Sequence, residues 1–206
     1  MLFNVLALIS LLILLMMLRT LVGVFPSLVA CLVRSKESIN LEASAQLSRD
    51  RNFLAAALIV PFCLIVCKED IYLPSFMEEC NENFRLCIIF GIFMAYILIR
   101  RFLEYILRPK VKNAKIYQTA CKASRTFFSL LTLTLLGIAG ITSFIGTSAE
   151  TVTSAMLWIS ASIYLIYILR KTQILAASAS FFAAFLYLCA LEIIPTGALI
   201  ASAIIF

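Results

Sequence analysis

Six apolar stretches, separated by short polar segments, make up most of this chain, and a polypeptide built that way has few ways to fold in water. They run over residues 2–18, 53–67, 86–99, 126–146, 153–169 and 175–203. A hydrocarbon core about 30 Å thick takes about 20 helical residues per crossing, which the shorter stretches approach with their flanks. Of 206 residues, 63% are hydrophobic and 14% charged, whereas a soluble domain is about a quarter charged. So few polar side chains cannot cover so much apolar surface. The chain therefore reads as all-α, a polytopic transmembrane helix bundle of about six spans, with residues 1–206 forming a single integral membrane domain. The first stretch has neither a positive flank before it nor a small-residue cleavage site, so it is expected to be a retained helix.

The charges sort steeply. With the loops after spans one, three and five on one side, that side holds Arg19, Arg34, Lys36, Arg49, Arg51, Arg100, Arg101, Arg108, Lys110, Lys112, Lys115, Lys122, Arg125, Arg170 and Lys171. Only Lys68 and Arg85 fall opposite, beside Glu69, Asp70, Glu78, Glu79, Glu82 and Glu150. Basic loops stay in the cytoplasm, so the N-terminus is expected in the periplasm of a bacterial inner membrane.

Between the spans, Leu21–Val33 contains Pro26 and is too short to cross alone. It is expected to lie in the interface or to prolong the first helix past a kink. Ile116, Tyr117, Ala120 and Cys121 recur at helical spacing among lysines, the pattern of a cytoplasmic interfacial amphipathic helix. Thr172–Phe206, roughly 52 Å as a helix, favours one long helix kinked at Pro195, with a span plus re-entrant tail as the rival. Cys67 and Cys80 flank one outer loop, where a disulfide is possible.

The chain contains no histidine, which removes Ser-His-Asp hydrolysis, Cys-His nucleophiles and most zinc chemistry. No metal, cofactor or nucleic-acid motif stands out, and no catalytic residue is assigned. Arg100, Arg101, Arg108, Lys110, Lys112, Lys115, Lys122 and Arg125 form a basic tract with one acid, Glu104. Contact with anionic lipid headgroups is its expected role, with binding of a cytoplasmic partner or of the phosphate of a polyprenyl lipid as the alternatives.

Glu192 is out of place. A charge in the bilayer costs about 2.5 to 3.5 kcal/mol on insertion scales, so Glu192, with Tyr187, Cys189 and Pro195 around it, is the candidate intramembrane site. It either binds a proton or cation, pairs with a base on another helix, or sits among outer headgroups on a tilted helix. Counting along straight helices puts Arg19 about 27 Å below the outer surface and Glu192 about 30 Å above Lys171. No Arg19 pair is therefore expected, and Tyr187, Thr196 or a backbone group is the expected neighbour.

The element Tyr187-Leu-Cys-Ala-Leu-Glu-Ile-Ile-Pro195 resembles the C-terminal signature of an uncharacterised inner-membrane family, a domain of unknown function typical of the Bacteroidetes. That family's leucine-rich tail is replaced here by Thr196-Gly-Ala-Leu. The resemblance implies a Gram-negative inner membrane and no mechanism. The leading expectation is a non-catalytic envelope component acting through membrane-protein partners or as a homo-oligomer. The alternatives are a small transporter or lipid carrier using Glu192, and a transferase acting on a lipid phosphate. For the last, Glu37, Glu42, Asp50 and Glu104 are the only inner acids, and they form no motif.

Overall fold

The computed structural model describes residues 2–205, except 73, 75, 76, 78, 79, 107–113, 147 and 178–180. Every regular element among them is helical: α1 Leu2–Met16, α2 Leu18–Val33, α3 Ser35–Ala43, α4 Ala45–Ala57, α5 Ile59–Lys68, α6 Glu82–Ile106, α7 Ala114–Ile145, α8 Ala149–Ala176, α9 Phe181–Leu188, a π-helical turn Cys189–Ile193, and α10 Ile194–Ile205. Lipid explains this uniformity, since a backbone group without a partner costs several kcal/mol there and a helix satisfies its own.

Five stretches are long and apolar enough to cross a bilayer: Ala45–Lys68, Glu82–Ile106, Ile116–Ile145, Ala149–Ala176 and Ala184–Ser202. A sixth crossing is made if α1 and α2, bent by 73°, count as one. The bend falls at Met17 rather than at Pro26, which α2 absorbs. At 1.5 Å per residue α1 rises about 22 Å, and α2, turned by that angle, adds about 7 Å along the same axis. Together they match the core thickness.

The second span begins earlier than its apolar residues suggest. Ser44 caps α4 by accepting the Leu47 N–H at 3.5 Å, so Arg49, Asp50 and Arg51 lie inside the helix. The residues expected to form an interfacial helix belong instead to α7. Tyr117 and Ala120 pack on Ile174, Leu175, Ala184 and Leu188, so their apolar face is covered by protein rather than by the membrane surface. The long C-terminal apolar stretch is not one helix either. The fifth span runs on to Ala176, α9 folds back along it, and α10 continues against α6.

Most bases lie at one end of the bundle, and the other end is mainly acidic. At the acidic end Arg85 pairs with Asp70 at 2.6 Å and the Thr153 hydroxyl donates to the Glu69 carbonyl at 2.9 Å. Cys67 there is a buried thiol, not half of a disulfide. At the basic end Arg170 donates to the carbonyls of Leu32 and Val33 at 3.0 and 2.8 Å, satisfying acceptors that the end of α2 leaves open. Between the ends, Phe62, Phe93 and Phe128 join α5, α6 and α7 with ring centroids 5.0 to 5.5 Å apart.

Candidate functional site

Pro195 sets the geometry around Glu192. It has no N–H to offer, and its ring crowds the carbonyl four residues back, so the helix before it widens. The Ile194 N–H bonds to the Cys189 carbonyl, five residues back, which is the register of a π turn. Such turns re-aim a side chain within an otherwise regular helix, and here the re-aimed side chain is Glu192, which is 0% exposed.

Its Oε1 is crowded with donors. Arg100 of α6 and Lys171 of α8 both form ion pairs with it, and the Tyr167 hydroxyl donates to it at 2.6 Å. That hydroxyl in turn accepts from Arg100 at 2.6 Å and from Lys171 at 3.2 Å. The Tyr164 hydroxyl donates to the Glu192 carbonyl at 3.1 Å. Arg100 also lies 3.9 Å from Glu104, so two bases stand against two acids. The other carboxylate oxygen of Glu192, Oε2, is buried and has no hydrogen-bond partner among the described residues.

Straight-helix counting misplaced these neighbours. Because α9 doubles back beside α8, Glu192 lies level with Lys171, not far above it. Its bases are Lys171 and Arg100 rather than Arg19, which is exposed at the α1–α2 bend. Tyr187 and Thr196, the neighbours expected for Glu192, hydrogen-bond elsewhere: Tyr187 with Tyr117 at 2.6 Å and Thr196 with Tyr96 at 3.1 Å. Cys189 is half-buried and supplies the π-turn carbonyl, while Pro195 is buried.

The basic tract divides in the same way. Arg100, expected at the headgroups, points into the bundle because Glu192 offers it a counter-charge there. Arg101 is exposed and Arg125 half-buried. Arg108, Lys110, Lys112 and the Lys115 side chain lie outside the described residues. Lys122 instead joins a second cluster, bonding Glu42 Oε2 at 2.8 Å. That oxygen also accepts from Ser48 at 3.2 Å, while Glu42 Oε1 pairs with Arg51, itself 1% exposed. Burial pushes the Glu42 carboxyl up, but Lys122 and Arg51 outweigh it and hold the group below the ordinary carboxylate range.

Sequence reasoning missed Lys171, Tyr167, Arg51 and Glu42 as site residues. A signal for the first two existed: Tyr164, Tyr167 and Lys171 are spaced i, i+3, i+7 and share one helix face. Reading Lys171 as a loop residue hid it.

The described residues contain no group of three or more His, Cys, Asp or Glu side chains able to hold a metal ion. No curated protein and no solved structure matches the chain. One family model, a domain of unknown function (DUF4271), matches residues 5–202. That match takes in both charge clusters and nearly the whole chain, which belongs to that family.

Proposed function

We propose that this membrane protein is a small transporter or lipid carrier of a bacterial inner membrane, with Glu192 as its working site. The proposal puts the basic end in the cytoplasm and the N-terminus in the periplasm, as the sorting of Lys and Arg favours. The C-terminal signature supports a Bacteroidetes-type source. One observation carries the proposal: a fully buried carboxylate with one oxygen shared by three donors and the other unused. Apolar residues of similar volume would often stabilise a bundle as well as a buried ion pair does. A charged cluster on a π turn beside a proline is therefore better explained as a binding and switching element, as in the broken helices of transporters.

The test is complementation of a strain lacking the protein. Glu192→Gln, which keeps an acceptor for Tyr167, is expected to insert at the wild-type level and fail to restore the phenotype. If the single variant accumulates poorly, the double variant Glu192→Gln with Lys171→Met removes the unpaired base as well. Full restoration by either would rule the site out.

A second reading, an assembly component acting through membrane partners, is favoured by α6. Only 11% of its apolar stretch is buried, against 56% in Ala45–Lys68. Its exposed residues include Cys87, Gly91 and Ala95, spaced so that another helix could approach closely. Oxidative crosslinking through Cys87 in native membranes is expected to give a dimer that Cys87→Ser removes. Absence of any Cys87-dependent adduct counts against this reading.

A further inference from the structure

We propose that the species taken up at Glu192 is a proton, and that four side chains of the last helix, each paired with a tyrosine elsewhere in the fold, mark its route between the two ends of the bundle. This rests on Glu192 being the working site of a transporter and names what that site binds. From Phe181 onward the hydroxyl- or carboxyl-bearing side chains are Tyr187, Glu192, Thr196 and Ser202. Each is bonded to a tyrosine of another element. Tyr187 meets Tyr117 of α7 at 2.6 Å, Glu192 meets Tyr167 of α8 at 2.6 Å, Thr196 meets Tyr96 of α6 at 3.1 Å, and Ser202 meets Tyr72 at 2.8 Å. Tyr164, on the Glu192 carbonyl, also faces Thr196.

Pairing of buried hydroxyls would by itself follow from the cost of leaving them unbonded in lipid. Their alignment on one helix, from the acidic end through Glu192 toward the basic end, does not. A hydroxyl both donates and accepts, so a proton taken on its lone pair can leave as its own O–H proton with no net change in atoms. Successive groups on the helix are about 6 to 9 Å apart. The longest interval, Thr196 to Ser202, requires a bridging water.

The chemistry of the site selects the proton. A metal cation needs several oxygen ligands, and Oε2 is the one carboxylate oxygen of Glu192 without a partner among the described residues. An anion would meet the carboxylate. A proton needs one lone pair, and Oε2 has it free. Facing Glu192 are Arg100 from α6 and Tyr164, Tyr167 and Lys171 from α8, with Tyr96 and Glu104 beside Arg100 and Cys121 of α7 beside Lys171. Protonation at Oε2 forms an O–H bond and removes the charge that holds Arg100 and Lys171, loosening α6 and α8 from the π turn. Uptake and movement are thereby coupled.

The experiment uses the full chain in vesicles with a trapped pH dye and a potassium diffusion potential, negative inside. Wild-type vesicles are expected to acidify faster than protein-free ones. Thr196→Val, which keeps the side chain's shape and touches no charge, should slow this about tenfold, and Glu192→Gln should abolish it. A wild-type rate equal to that of protein-free vesicles, or a Thr196→Val rate equal to wild type, overturns the route. If those vesicles pass no protons while Glu192→Gln still fails to complement, the carrier reading stands and the proton falls. Complementation by Glu192→Gln removes both.

Discussion

Two glutamates at the basic end of this bundle each hold two bases, and they do it differently. Glu42 spreads its donors over both oxygens, with Arg51 on one and Lys122 and Ser48 on the other. It lies on α3, outside the spans, and its partner Lys122 is 40% exposed. Glu192 gathers every side-chain donor on one oxygen, leaves the other unused, and shares its burial with Lys171, which is also 0% exposed. A carboxylate with both oxygens engaged is a lock that ties α3, α4 and α7 together. One that keeps a buried oxygen vacant holds its helices and retains capacity to bind. Residue types alone do not separate the two roles; the distribution of donors over the oxygens does.

The largest effect is expected where the charge is most deeply buried. Glu192→Leu leaves Lys171 and Arg100 facing an apolar pocket, and removing one partner of a buried pair costs about 3–5 kcal/mol. Unfolding in mild detergent would measure it. Adding Lys171→Leu should recover part of the loss, because the double variant no longer strands that base. A double variant as unstable as the single one would mean that Lys171 reaches water, and the contrast with Lys122 would vanish.

These differences bear on what the sequence could disclose. The helical class and the spans were legible, because lipid leaves helices as the only open backbone solution for such apolar runs. So was Glu192, the lone acid in its apolar stretch. Its partners were not, because depth was counted along straight helices. Nothing in the sequence announces that the chain turns back between Ala176 and Phe181, and that reversal is what brings Lys171 level with Glu192. The bend at Met17 was equally silent, since Pro26 is the obvious breaker and α2 tolerates it. Glu42 and Arg51 looked like unconnected inner charges, because nothing in their spacing shows that α3 folds against α4 and α7.

Glu42→Leu should cost less, about 1.5–3 kcal/mol, the range for hydrogen bonds to charged groups. Lys122 can turn to water, and Arg51 keeps Asn52 at 2.9 Å. A loss equal to that of Glu192→Leu would erase the distinction. The same site makes a pH prediction. The Glu42 carboxyl is held below its ordinary value of 4.5, so its contribution is whole above that value and fades as pH falls through the lowered one. Acidification over that window should speed proteolysis of α3, and Glu42→Gln should flatten the pH dependence. A profile unchanged by that variant would place the acid sensitivity elsewhere.

The smallest effect separates the two lysines most cleanly. Lys122 and Lys171 both pair with a glutamate at the basic end, but Lys122 is partly solvated. Exposed pairs give about 0–1 kcal/mol after screening and side-chain entropy, so Lys122→Gln should shift stability by no more than that, and less at high salt. Lys171→Gln strips a partner from a carboxylate that has no water to turn to, and should cost several times as much with little salt dependence. If the two variants lose stability equally, or both respond to salt, Glu192 is as wet as Glu42. Its unused oxygen would then be satisfied by solvent, and the physical case for a binding site there would be gone.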